Sequence, residues 1–168
     1  MNNRRILLVD DVGSMRSVIK SFLHDGKHEL VDEACDGAHA LEMLGRRKYA
    51  VVICDLEMPK LNGIELLKKI REEKRMRHVQ FIMITTHNEA EKIKEAIAAG
   101  VDDYIAKPFQ AISLLTKVEK AFEKRTLGIT QESLARVNRA AEQSKCDVEQ
   151  AKSDTVEILN EVIIETDD

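Results

Sequence analysis

Asp10 and Asp11 follow one short apolar run, Asp55 ends a second, Thr85 lies at the end of a third, and Lys107 comes just after a fourth. Brought together, three carboxylates, a hydroxyl and a lysine could do phosphoryl chemistry. Carboxylates gathered at about 4 Å repel one another by roughly 4 kcal/mol per pair at an effective dielectric of 20, so such a cluster needs a cation. Oxygen ligands that leave room for water and phosphate suit Mg²⁺ better than zinc. Asp55 then becomes a nucleophile toward phosphorus, Lys107 and the cation offset charge on the equatorial oxygens, and Thr85 donates a hydrogen bond.

The elements that must position these residues can be read from the pattern. Apolar runs occur at Ile6 to Val9, Leu30 to Val31 (extending to Ala34), Val51 to Cys54, Phe81 to Ile84 and Tyr104 to Ala106. Between them lie helical stripes: Met15, Val18, Ile19, Phe22 and Leu23; Ile64, Leu67 and Ile70; Ile93, Ala96 and Ile97; and Leu115, Val118 and Phe122. Ser14 and Asp36 stand where N-caps are expected, and Gly45 and Gly100 where helices should stop. The alternation βαβαβαβαβα with continuously apolar strands predicts an α/β fold with a doubly wound, five-stranded parallel sheet. In such sheets the site lies beyond the carboxyl ends of the strands, which is where Asp10, Asp11, Asp55, Thr85 and Lys107 fall.

Composition bounds the rest. The chain has 168 residues, 43% hydrophobic and 33% charged, with no Trp. That allows one ordinary domain with a small appendage and an aliphatic core. Residues 127–168 hold ten acidic and four basic residues, leaving 20 acidic and 22 basic before them, so the net charge of −4 divides into about −6 and +2. An acidic segment without aromatic interleaving argues against nucleic-acid binding. Cys35, Cys54 and Cys146 form no CxxC pair and suit a reducing compartment. The start, MNNRRILLVDD, is too short in its apolar part for a signal peptide, and no run reaches the ~20 residues of a membrane span. A cytoplasmic protein without membrane contact is expected.

The sequence resembles the receiver domain of bacterial two-component response regulators, and most closely the chemotaxis-type single-domain regulators. The stretches that carry the resemblance are LLVDD at 7–11 with SMR at 14–16, CDLEMPKLNGIELL at 54–67, IMITT at 82–86, and GVDDYIAKPF at 100–109. It covers about residues 3–124 and implies the flavodoxin-like strand order 2-1-3-4-5. It also implies that Asp55 accepts phosphate from a histidine kinase, with Asp11, the Asp55 side chain and the Glu57 backbone carbonyl ligating Mg²⁺, and with Asp10 acting through a metal-bound water. Lys107 would contact the phosphoryl group. Thr85 would move toward it, with Thr86 in the following loop, and Tyr104 would turn inward. The bond before Pro108 would be cis, and a downstream protein target would dock on the face of helix 4, strand 5 and helix 5. Glu57 and His87 occupy positions that flank the path of hydrolytic water and are expected to tune phosphoryl lifetime, with the Glu57 side chain reaching over the site.

Plainer roles exist for each residue alone: a strand-end Asp can cap a turn, Thr85 and Thr86 can simply end a strand, Lys107 can be solvated, and Tyr104 can be partly buried packing. Convergence of five suitable residues on one edge outweighs them. His24 and His28 have metal-ligand spacing, but Asp25 and Gly26 end the helix between them. Two rival functions are an aspartate-nucleophile phosphohydrolase, with Glu57 in place of the usual second Asp, and a phosphorylation-independent scaffold. A receiver over residues 1–126 and an acidic helical extension over 127–168 are expected. The extension carries a weak heptad stripe from Leu134 to Val162, and its 130–164 region suits self-association or docking.

Overall fold

A computed structural model describes residues 4–86 and 90–128. His87, Cys146 and the heptad positions of 130–164 lie outside the described residues. The chain divides into two units, Met1–Thr126 and Leu127–Asp168.

The first unit alternates strand and helix. Strand β1 (Ile6–Val9) is followed by α1 (Gly13–Asp25), β2 (Val31–Ala34), α2 (Gly37–Arg46), β3 (Val51–Asp55), α3 (Gly63–Glu72), β4 (Gln80–Thr86), α4 (Ala90–Ala98) and β5 (Asp103–Lys107). Residues 111–126, helical throughout, add α5. All pairings are parallel and the sheet runs β2-β1-β3-β4-β5. This is the flavodoxin-like order expected from the sequence.

Strands β1 and β3 are buried along their whole length because both faces are covered. Side chains alternate between two cores. Leu7, Val9, Val52, Cys54, Phe81 and Met83 pack with residues of α2 and α3. Ile6, Leu8, Val51, Ile53, Ile82 and Ile84 pack with Ile19 and Leu23 of α1 and Leu114, Val118 and Phe122 of α5. The α3 stripe Ile64, Leu67 and Ile70 is wholly buried, whereas Val18 of the α1 stripe and Ile97 of the α4 stripe are exposed. β2 is an edge strand and is correspondingly polar. Asp32 accepts from the Tyr49 hydroxyl at 2.8 Å, and Glu33 pairs with Lys20 at 2.7 Å. Such charges blunt an exposed edge.

Two punctuation marks fall elsewhere than expected. α1 begins at Gly13 after Val12, with no side-chain cap, so Ser14 lies inside the first turn. α2 continues through Gly45 to Arg46, and the Arg47 N–H bonds back to the Met43 carbonyl. Asp36 does cap α2, accepting from the His39 N–H at 2.8 Å. Gly100 has φ +90°, the left-handed conformation that favours glycine. A cap not anticipated from the sequence starts α3: Asn62 and Glu65 bond each other's backbone N–H, both at 2.9 Å, forming a capping box.

Candidate functional site

Strand register assembles the site. Val9 is level with Cys54 across β1 and β3, which sets Asp10 beside Asp55 just past the paired strands. Asp55 is level with Ile84 of β4, so Thr85 comes one residue further on. Thr86 is level with Lys107 at the end of β5. Four consecutive parallel strands therefore deliver a carboxylate pair, a carboxylate, a hydroxyl and an ammonium to one edge.

Carboxylate oxygens of Asp10, Asp11 and Asp55 lie within 4.8 Å of one another. Asp10 and Asp55 are buried, whereas Asp11 is exposed. The Lys107 Nζ sits 2.8 Å from Asp55 Oδ1. On Asp10, Oδ1 accepts from the Val12 N–H at 2.8 Å, while Arg16 holds the Asp10 backbone carbonyl at 2.7 Å. Asp10 Oδ2 is buried and has no hydrogen-bond partner. A buried acceptor left so costs about 1–3 kcal/mol, and a divalent cation shared with its neighbours would satisfy it. The donor set, oxygen only and partly open to solvent, fits Mg²⁺.

Electrostatics follow from this packing. Burial pushes the Asp55 carboxyl above the usual carboxylate value, opposed by the hydrogen bond and charge of Lys107 and reinforced by Asp10 and Asp11. Burial likewise raises Asp10, against the Val12 N–H and Lys107. Cys54 is driven well above the ordinary thiol value by burial and by the neighbouring Asp55 and Asp10. It is a neutral, inert neighbour.

The loop after Asp55 is tightly built. Gly63 N–H bonds to the Leu56 carbonyl at 2.9 Å, and a Cβ on Gly63 would lie 2.6 Å from the Asp55 carbonyl and 2.7 Å from Met83 Sδ. Only glycine allows this approach. Lys60 adopts φ +70° in the same loop.

The remaining expected residues divide. Thr85 is buried, and its Oγ1 donates to the Thr86 carbonyl at 3.3 Å, long for a hydroxyl, whose bonds end near about 3.0 Å. Thr86 and Pro108 are exposed, and the Lys107–Pro108 bond is cis. Tyr104 faces outward with 42% exposure. Between Thr85 and Tyr104 lies an apolar space of about 10 Å³, lined by Ile93, Ala96 and Val101. The Glu57 carboxylate, expected to reach over the site, is 63% exposed. It pairs with Lys92 of α4, because that ammonium lies across the groove between the β3–α3 loop and α4. Lys92 and Arg16 were missed by sequence reasoning: Arg16 stands in the SMR stretch, but nothing local links Lys92 to Glu57. His28 is buried beside Glu119, 3.3 Å away, and far from a ligand role with the exposed His24.

Among the described residues, no helix is long and apolar enough to cross a membrane. The response regulator receiver domain pattern matches residues 6–119. Chemotaxis protein CheY-3 of Vibrio cholerae is 43% identical over 122 residues, covering 73% of this chain and 94% of that protein. Chemotaxis protein CheY of Pseudomonas aeruginosa is 40% identical over 120 residues, covering 71% and 97%. Among solved structures, Vibrio cholerae CheY4 superposes with TM-score 0.66 at 31% identity, covering 71% of this chain and 98% of that one. The receiver domain of a Pseudomonas aeruginosa sensor histidine kinase, with magnesium coordinated in its active-site cleft, gives TM-score 0.66 at 27% identity, covering 72% and 98%. The register-built acidic edge and these likenesses agree: the chain belongs to the response regulator receiver domain family and is of the CheY type.

Proposed function

We propose that this receiver takes a phosphoryl group onto Asp55 from a histidine kinase and uses it to change its binding of a protein partner. The observation that carries the reading is the 2.8 Å contact of Lys107 with Asp55 beside a buried, partnerless Asp10 oxygen. An Asp55 oxygen attacks phosphorus in line, the O–P bond forms as the N–P bond of the donor phosphohistidine breaks, and the imidazole departs with the electron pair. Asp11, the Asp55 side chain and the Glu57 backbone carbonyl would hold Mg²⁺, with Asp10 acting through a water on it; the ion supplies charge neutralisation at the phosphoryl oxygens. The magnesium in the active-site cleft of the Pseudomonas aeruginosa kinase receiver supports Mg²⁺ as the ion.

Lys107 exchanges its carboxylate partner for a phosphoryl oxygen. Thr85, on a long hydrogen bond, can turn its hydroxyl the same way. The space behind Thr85 holds about 10 Å³, less than a Tyr ring, so Tyr104 moves inward only if α4 shifts. Two or three charge-assisted hydrogen bonds at about 1.5–3 kcal/mol each supply the ~5.5 kcal/mol that moves an equilibrium from 1:99 to 99:1. The readout surface is the face of α4, β5 and α5, where Ile97, Tyr104 and Ile112 are exposed. The names of the relatives support chemotaxis as the setting. Residues 1–126 would form the receiver, and the acidic 127–168 an interaction appendage.

The test is incubation with acetyl phosphate, with and without Mg²⁺. One acid-stable, base-labile phosphate per chain is expected only with Mg²⁺ and is absent in Asp55→Asn. Turnover of many phosphoesters without a covalent adduct would instead indicate a phosphohydrolase.

A further inference from the structure

The β1–α1 turn carries two of the three carboxylates, yet it lacks the usual fastening. α1 starts after Val12 without a side-chain cap, whereas Asp36 and Asn62 cap α2 and α3. Asp11 is exposed, and its carboxylate makes no hydrogen bond among the described residues. The backbone of residues 10–13 therefore decides where that carboxylate stands.

The fastening comes from further along α1. Arg16 Nη1 donates to the Asp10 carbonyl at 2.7 Å, and the Asp10 N–H bonds to the Ala34 carbonyl of β2 at 3.2 Å. The same guanidinium meets Glu33 Oε1 through its Nε at 3.4 Å. Glu33 is level with Leu8 across β1 and β2, and Lys20 takes its other oxygen at 2.7 Å. Two cations four residues apart on one face of α1 thus grip a single carboxylate on the edge strand. Arg16 is only 21% exposed, and its planar fork reaches the turn and the edge strand at once, which a lysine ammonium does not do.

We infer that Arg16 is a positioning residue for the divalent cation: anchored on Glu33, it fixes the Asp10 carbonyl and with it the places of the Asp10 and Asp11 carboxylates. The inference rests on the reading of the acidic edge as an Mg²⁺ site. Partners that orient metal ligands contribute about 10–100-fold to metal affinity. Charge alone gives the opposite sign. A guanidinium beside three carboxylates repels an incoming cation, so its removal would tighten Mg²⁺ binding by Coulomb's law, whereas a lost anchor loosens it.

Mg²⁺ alone is titrated calorimetrically, at constant ionic strength, into the full chain and into Arg16→Met and Arg16→Lys. Arg16→Met should bind Mg²⁺ about tenfold more weakly or worse. Arg16→Lys keeps the charge and a donor for the Asp10 carbonyl without the fork, and should fall between that variant and the parent. Labelling at Asp55 by acetyl phosphate, which needs no kinase surface, should require correspondingly more Mg²⁺ in both variants, with the deficit closing as Mg²⁺ is raised. Mg²⁺ affinity in Arg16→Met equal to or tighter than the parent's would overturn the inference, and so would a labelling deficit that Mg²⁺ does not close. Should Arg16→Met not fold, unchanged affinity in Arg16→Lys would overturn it. Absence of Mg²⁺ binding in the parent would overturn the Mg²⁺ assignment as well, whereas parent-like binding in the variants overturns this inference alone.

Discussion

Asp10 carries opposite demands in one side chain: one oxygen is held by the Val12 N–H, and the other is buried without a partner. Burial raises its pKa, so the folded chain binds a proton there more readily than the unfolded chain. The sign follows: Asp10 lowers stability at neutral pH, and the penalty fades as pH falls through its folded pKa toward 3.8 and below. Asp10→Asn should therefore raise melting stability by about 1 kcal/mol in metal-free buffer at pH 7, with the gain shrinking in acid and the response to Mg²⁺ reduced. Denaturant melts at several pH values check this. Glu57 poses a different question, since Lys92 draws its carboxylate toward α4. Glu57→Asn removes that ion pair and places an amide two residues from the acceptor. The decay rate of the aspartyl phosphate should change, and a rate equal to that of the parent would remove Glu57 from the account.

At the scale of elements, the β3–α3 connection is the segment that fixes the acceptor. Gly63→Ala would drive a Cβ into the Asp55 carbonyl and Met83, and it should cost about 1–3 kcal/mol by overpacking. Labelling of Asp55 should fall with it, whereas Gly45→Ala, with open space at its Cβ, should be neutral or stabilising. The opposite end of the sheet is tied by α5. Glu119 takes Arg4 at 2.6 Å and His28 at 3.3 Å, and Arg4 stacks on Phe122 at 4.2 Å. Burial lowers the His28 pKa from 6.5, with Glu119 opposing and Arg4 assisting. Below pH 6.5 the unfolded chain takes up this proton before the folded chain does, so stability is full above that value and declines toward the folded pKa. His28→Gln should flatten that decline in pH-dependent melts.

Across the whole molecule, what could be read in the sequence was whatever local pattern determines. Runs such as ILLV and VVIC announce strands buried on both faces, and parallel topology then sends every strand-end residue to one edge. Asp10, Asp11, Asp55, Thr85 and Lys107 were legible for that reason. The edge strand β2 was harder, because Asp32 and Glu33 are explained only by cations that arrive from α1 and from the segments before β1 and β3. The Glu57–Lys92 pair was not legible at all, because its members come from separate elements and no period in the sequence connects them.

The central claim is that Asp55 is the covalent acceptor, and borohydride reduction tests it most directly. An aspartyl phosphate is reduced to homoserine, which peptide mass spectrometry locates. After acetyl phosphate and Mg²⁺, homoserine should be found at position 55 and nowhere else, and it should be lost when Mg²⁺ is omitted. Homoserine at another aspartate, or consumption of acetyl phosphate with none at position 55, would contradict the account.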